Sequence, residues 1–238
     1  MSKKPYNPLM KIFFLGPEGT NSDLAARNIF KDGGDYNPLP SIEDIFEKVA
    51  MSHSYYGVIP FENSYQGVIN SSLNCLIDYD LKILKEFNFS ISHNLCSMNK
   101  KCNLNEIKKI TSHPQVFGQC ANWMRNNIPD AEKLVATSTA EAASQAEKDK
   151  NLYCIANSYA IKIFNLYTHL ENIQDSNDNK TRFLVIGKSI EEKSDQNKTS
   201  VMINIVDKPG SLMSILQPFT ELNINMTRIE TRPSRNNE

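Results

Sequence analysis

Apolar runs that alternate between strand-like and helix-like patterns from residue 11 to residue 188 predict an α/β fold with helices covering sheets. Two further features support that class: helix-start signals sit just after extended runs, and no internal repeat or sustained heptad is visible. In chain order the extended runs are Lys11 to Leu15, Tyr56 to Ile59, Leu81 to Ser90, Lys109 to Thr111, Lys133 to Ala136, Leu152 to Ala156 and Arg182 to Gly187. Helical patterns fill the intervals. One begins near Asp23, one is capped by Ser41 with Asp44 and runs through Met51, and an amphipathic run spans Val68 to Ile77. Pro114 suits the first position of another helix, and Ser138 with Glu141 fits the S-x-x-E capping box ahead of a helix through Lys148. Ser189 to Lys198 is polar with few apolar anchors and reads as a linker. Beyond it, Thr199 to Val206 and Ile224 to Thr231 alternate as strands around a helix that Pro209-Gly210 introduces, giving one βαβ unit.

Composition narrows the function. The 238 residues are 40% hydrophobic and 22% charged with a formal net charge of −1, so there is no basic field to grip nucleic acid. The longest apolar stretches fall far short of the roughly 18 residues that a membrane span needs. Lys3 and Lys4 ahead of Leu9 to Leu15 mimic a secretory leader, but Lys11 interrupts the apolar run and Gly16, Pro17 and Glu18 follow it, so the segment reads as a first strand. The five cysteines are widely spaced and lack a C-x-x-C pair, which fits reduced thiols in a cytoplasmic protein.

Five polar clusters share one position, the end of an extended run: Gly16 to Ser22, Pro60 to Ser64, Ser112 to Gln115, Thr137 to Thr139, and Asn172 to Arg182. In α/β proteins such ends converge on the ligand crevice. The combined site is rich in Ser, Thr, Asn and Gln, has Arg182 as a cation, and contains no metal-ligand or Cys/His grouping. The first cluster lacks the P-loop lysine and the G-x-G-x-x-G spacing, so it fits a carboxylate cradle or a plain helix cap better than a nucleotide site. His113, without a Cys, Asp or Ser partner in a known arrangement, reads as a structural hydrogen-bonding residue.

With these motifs in order, the chain resembles the prephenate dehydratase family along nearly its whole length. Gly16 to Thr20 resembles its GPEGT segment, Pro60 to Ser64 its P-x-ENS, Ser112 to Gln115 its SHPQ and Ser138 to Ala142 its STAEA, while Asn172 to Phe183 resembles its ENIQD…N-x-TRF signature. The resemblance implies a two-lobed α/β catalytic domain over residues 10–188, like periplasmic binding proteins, with an interlobe cleft. Lobe one would hold about 10–88 plus 171–188 and lobe two about 89–170. A linker at 189–198 and an incomplete ferredoxin-like ACT unit at 199–238 would follow. It implies a carbon–oxygen lyase of the phenylalanine route that converts prephenate to phenylpyruvate, water and carbon dioxide without a metal or other cofactor.

Residue by residue, the family pattern implies that Thr181 donates to the leaving hydroxyl while Glu62 or water supplies the proton, and that Asn63 and Gln115 orient the ring. Arg182, with backbone near Thr20 and Ser138, would hold the side-chain carboxylate, and Gly19, Ser64, Ser112 and Thr139 would complete the substrate set. Phe183 would be either an apolar wall beside the departing carboxylate or a core residue. Gly210, Ser211, Leu212 and Glu230 match the ACT motifs that bind phenylalanine as an effector. About half an ACT unit fits between Thr199 and Glu238, so partner-chain packing, partial order or a shortened product is expected there, and an upstream chorismate mutase unit is not expected. Asn21 and Asn157 depart from the pattern, standing where an aromatic residue and a serine are usual. A homodimer or homotetramer is implied, with no nucleic-acid or membrane partner. The rival readings are an arogenate dehydratase and a non-catalytic carboxylate sensor.

Overall fold

The structure is a computed structural model that describes residues 10–31, 33–189 and 197–232. The chain divides into two units, Met1–Glu192 and Lys193–Glu238.

The first unit holds two sheets. The elements of the first are β1 (Lys11–Leu15), α1 (Asn21–Phe30), β2 (Asp35–Leu39), α2 (Ile42–Val49), β3 (Tyr55–Asn63), β4 (Gly67–Val68), α3 (Asn70–Asp78) and β5 (Lys82–Ser90). The chain then crosses to β6 (Asn94–Ser97), β7 (Lys109–Ser112), α4 (Pro114–Gln119), α5 (Ala121–Asn127), β8 (Glu132–Val135), α6 (Thr139–Lys148), β9 (Leu152–Ala156), α7 (Ser158–Ile163) and β10 (Tyr167–Leu170). It returns to the first sheet as β11 (Lys180–Gly187). The first sheet has the order β2-β1-β3-β11-β5 with β4 on β3, and the second the order β10-β6-β9-β7-β8. The α/β class expected from the alternating pattern is therefore present, as two separate sheets joined by two crossings.

Helix starts follow from side-chain chemistry. Thr20, Ser41 and Ser138 cap α1, α2 and α6 by accepting from the N–H three residues on, at 3.3, 3.0 and 3.0 Å. Asn157 caps α7 by accepting from the Tyr159 and Ala160 N–H groups. The first sheet is covered on both faces, which is why β3 and β11 read as nearly continuous apolar runs rather than alternating ones. Ile12, Phe14, Val58, Phe183 and Val185 pack toward Ala25 and Ala26 of α1, whereas Phe13, Ile59, Phe61, Leu184 and Ile186 pack toward α2.

Three differences from the sequence reading have simple causes. Residues 60–63 do not follow the strand expected to end at Ile59; they continue it as part of β3, because β11 supplies a ladder partner up to Asn63. Edge strand β2 carries Pro38, which a pattern search penalises but an edge tolerates. The extended runs expected at 199–206 and 224–231 have no strand pairing among the described residues, and α8 (Ser211–Glu221) is the regular element of the second unit. Two short strands and a helix do not make an independently stable sheet. Most of the expected linker, residues 190–196, lies outside the described residues. No helix is long and apolar enough to cross a membrane, among the described residues.

Candidate active site

The two crossings bond to each other, Ile91 N–H to the Asn179 carbonyl and Ile173 N–H to the His93 carbonyl, both at 2.9 Å. Beside them lies a cavity of about 280 Å³. The first sheet and its loops contribute Leu15, Gly16, Thr20, Asn21, Ser22, Asn63 and Thr181, and the second contributes His113, Gln115, Val116, Gln119, Thr137, Ser138 and Thr139. Ile91, His93 and Asn179 complete the lining, which contains no Asp, Glu, Lys or Arg.

Thr181 and Asn63 are cross-strand partners in the β3–β11 ladder, so both project to the same face. Asn63 Oδ1 accepts from the Tyr65 N–H at 3.0 Å, which fixes the amide so that Nδ2 donates to Thr181 Oγ1 at 3.0 Å and to Asn179 Oδ1 at 2.9 Å. The Thr181 hydroxyl thus accepts from the protein, and its own proton is available on the cavity side.

The N-termini of α1 and α6 bring the positive ends of two helix dipoles to the same cavity through Thr20 and Thr137 to Thr139. Thr20 is spent on structure, since it caps α1 and donates to the Leu15 carbonyl at 3.0 Å. The Glu141 carboxylate folds back onto the Thr137 hydroxyl and N–H, and these bonds hold its carboxyl below the usual range. Gly19 does not line the cavity. With φ at +86° and a hypothetical Cβ 3.3 Å from that of Ala140, it lets the β1–α1 loop pass close against α6. Asn157 Nδ2 donates to the Gly19 carbonyl at 2.9 Å and to Asn21 Oδ1 at 3.1 Å. The two positions that depart from the family pattern, Asn21 and Asn157, therefore touch one another.

Several expected site residues lie elsewhere. Arg182 and Glu62 are consecutive with Thr181 and Asn63 on their strands, so the alternation of side chains sends them to the opposite face. There they line a separate hollow of about 200 Å³ with Ser64, Asn88 and Lys180. The expectation that Arg182 grips a carboxylate in the main cavity, and that Glu62 delivers a proton there, is corrected by that placement. Ser64 ties chain to chain, donating to the Asp178 carbonyl and accepting from the Lys180 N–H. Ser112 is fully buried and donates to the Ile155 carbonyl at 2.8 Å, outside the cavity. Phe183 is a core residue set edge-on to Phe89, with no part in the lining. Of the ACT-type residues, Gly210 (φ +85°) precedes α8, Ser211 and Leu212 begin it, and Glu230 pairs with Arg228.

Sequence reasoning missed His93 and Gln119, and held Asn179 only as part of the Asn172 to Arg182 cluster. His93 is 2% exposed, its Nε2 lies 2.6 Å from Gln119 Oε1, and its Nδ1 has no partner among the described residues. Burial pushes its pKa down. A single His between two strands carried no pattern that could have marked it. His113 Nδ1 accepts from the Gln115 N–H at 3.3 Å, which leaves Nε2 as the site of the proton in the neutral ring.

Comparison with known proteins bears on this site. The family model for prephenate dehydratase matches residues 12–191. A prephenate dehydratase of Methanocaldococcus jannaschii is 38% identical over 94% of this chain and 83% of its own length. The bifunctional chorismate mutase/prephenate dehydratase of Pseudomonas aeruginosa is 35% identical, and the chain spans 62% of that protein. Among solved structures, the prephenate dehydratase of Arthrobacter aurescens in complex with L-Phe aligns with a TM-score of 0.80 at 25% identity, covering 94% of this chain and 77% of that one.

Proposed function

The chain belongs to the prephenate dehydratase family, and from that premise we propose that it converts prephenate to phenylpyruvate, carbon dioxide and water in this cavity. The observation that carries the reading is the Asn63–Thr181 pair, a hydroxyl with its proton available, in a cavity lined without Asp, Glu, Lys or Arg.

Prephenate is a dianion with a ring hydroxyl. Breaking the bond to its ring carboxylate releases carbon dioxide and sends an electron pair into the ring, while the carbon–oxygen bond to the hydroxyl breaks on the far side. One proton taken up turns the departing hydroxide into water, and the product keeps the side-chain carboxylate. Thr181 donates a hydrogen bond to that departing oxygen, strengthened by the bond it accepts from Asn63. An alcohol is too weak an acid to surrender the proton outright, so solvent supplies it. The retained carboxylate sits at the N-terminal ends of α1 and α6, held by first-turn N–H groups and by Ser138 and Thr139. Gln115 hydrogen-bonds the ring side of the substrate. The carboxylate to be lost meets no cation in the lining, so nothing holds back its loss.

Phenylalanine as an effector, a homodimer or homotetramer and a cytoplasmic location are parts of the same reading. The L-Phe complex of the Arthrobacter protein supports the first. Purified chain offered prephenate and arogenate separately tests the activity: phenylpyruvate from prephenate is expected. Phenylalanine from arogenate alone would replace the reading with arogenate dehydratase, and binding without turnover would replace it with a sensor.

A further inference from the structure

The β3–β11 ladder contains a one-residue irregularity beside the site. Ile186, Val185, Leu184 and Phe183 face Gly57, Val58, Ile59 and Pro60 in turn, whereas Arg182 faces Glu62 and Thr181 faces Asn63. Phe61 is therefore an extra residue, a β-bulge in which Phe61 and Glu62 together oppose Arg182. Had the lower register continued, Arg182 would face Phe61 and Thr181 would face Glu62. Residues directly opposite share a face, so the bulge decides whether an amide or a carboxylate stands beside the Thr181 hydroxyl.

The far face shows what holds the bulge. The Arg182 guanidinium lies 5.2 Å from the centre of the Phe61 ring. One of its terminal nitrogens bonds Glu86 of β5, and the other lies 3.9 Å from Glu62. Arg182 thus touches both bulged residues and is itself anchored to the neighbouring strand. We propose that Arg182 is a positioning residue: by gripping Phe61 and Glu62 on the far face it keeps the bulge in place, and so keeps a carboxylate out of a cavity meant for a dianion. The assignment of a dianion rests on the dehydratase reading; the bulge and its clamp do not.

The test compares Arg182→Met, Arg182→Lys, Glu62→Gln and the double variant Arg182→Met/Glu62→Gln in steady-state kinetics with prephenate, alongside a crystal structure of Arg182→Met. Arg182→Met is expected to raise KM about tenfold, as a carboxylate brought beside Thr181 requires, and to lower kcat as well, because the bond from Asn63 that strengthens the Thr181 donor is lost. Arg182→Lys should fall between it and the parent, and Glu62→Gln added to Arg182→Met should bring KM back, because the carboxylate that intrudes is then gone. The crystal structure should show Glu62 turned toward Thr181 and the Asn63–Thr181 bond broken. A double variant no better than Arg182→Met overturns the proposal, as does an Arg182→Met structure with the bulge and that bond intact. If Arg182→Met fails to fold, Arg182→Lys carries the same comparison. If the parent does not turn over prephenate, the dehydratase reading falls and the structure alone judges the clamp.

Discussion

The two faces of the β3–β11 strand pair differ by one step along each chain and have opposite chemistry. One face presents Thr181 and Asn63 to a cavity whose lining has no Asp, Glu, Lys or Arg, and the other gathers Arg182, Glu62, Glu86 and Lys180. Alternation in a strand is what permits it: a charged cluster can stabilise the ladder from behind without any of its groups touching the reacting groups in front. A ligand site can therefore be anion-friendly while its nearest sequence neighbours are strongly ionic.

The comparison breaks most sharply at Thr181. Thr181→Val keeps the shape and the strand but removes the only atom that can donate to the leaving oxygen from this strand, and kcat is expected to fall about 10²- to 10³-fold at unchanged melting temperature. A thermal melt alongside the rate assay checks both halves. Asn63→Asp puts a new carboxylate on the cavity face without touching the clamp; KM for prephenate should rise about tenfold to a hundredfold, as two like charges a few ångströms apart require.

Proton linkage sharpens the contrast, because a buried imidazole, His93, lines the cavity. Burial holds the pKa of His93 below its ordinary value, so its neutral form is the one the fold accepts. Its contribution to stability is full above the unfolded pKa of about 6.5 and is lost as pH falls toward the lower folded value, with a slope of at most about 1.4 kcal/mol per pH unit. Urea melts from pH 8 down to pH 5 should show that loss, and His93→Gln should flatten it. Glu62→Gln should change the least: its carboxylate is outside the cavity, and both KM and kcat are expected to stay within about twofold. A large loss of kcat in that variant would mean that Glu62 reaches the substrate after all.

The class of the fold, most strands, and the convergence of strand-end clusters were legible in the sequence because capping residues and apolar runs are local signals. Thr181, Asn63, Gln115, Ser138 and Thr139 all line the cavity as their motif positions suggested. Arg182 and Glu62 were misplaced for a reason that the sequence did contain in half: once Thr181 is taken to face the cleft, its neighbour on a strand must face away. The other half, the bulge at Phe61, has no local signature, since Pro60 to Ser64 reads equally well as a turn. His93 joins the site through the pairing of two crossings about 80 residues apart, which no local pattern encodes. The strands expected around α8 were legible as alternation but lack the ladder partner that would make them strands.

A lining without Asp, Glu, Lys or Arg also shapes how an anion held there responds to its medium. Arg or Lys clamps at a surface are weakened by added salt over a Debye length of about 8 Å at physiological ionic strength. Helix ends, hydroxyls and amides packed into the protein carry partial rather than full charges. An anion held by them should lose affinity less steeply as ionic strength rises than one held by exposed Arg or Lys.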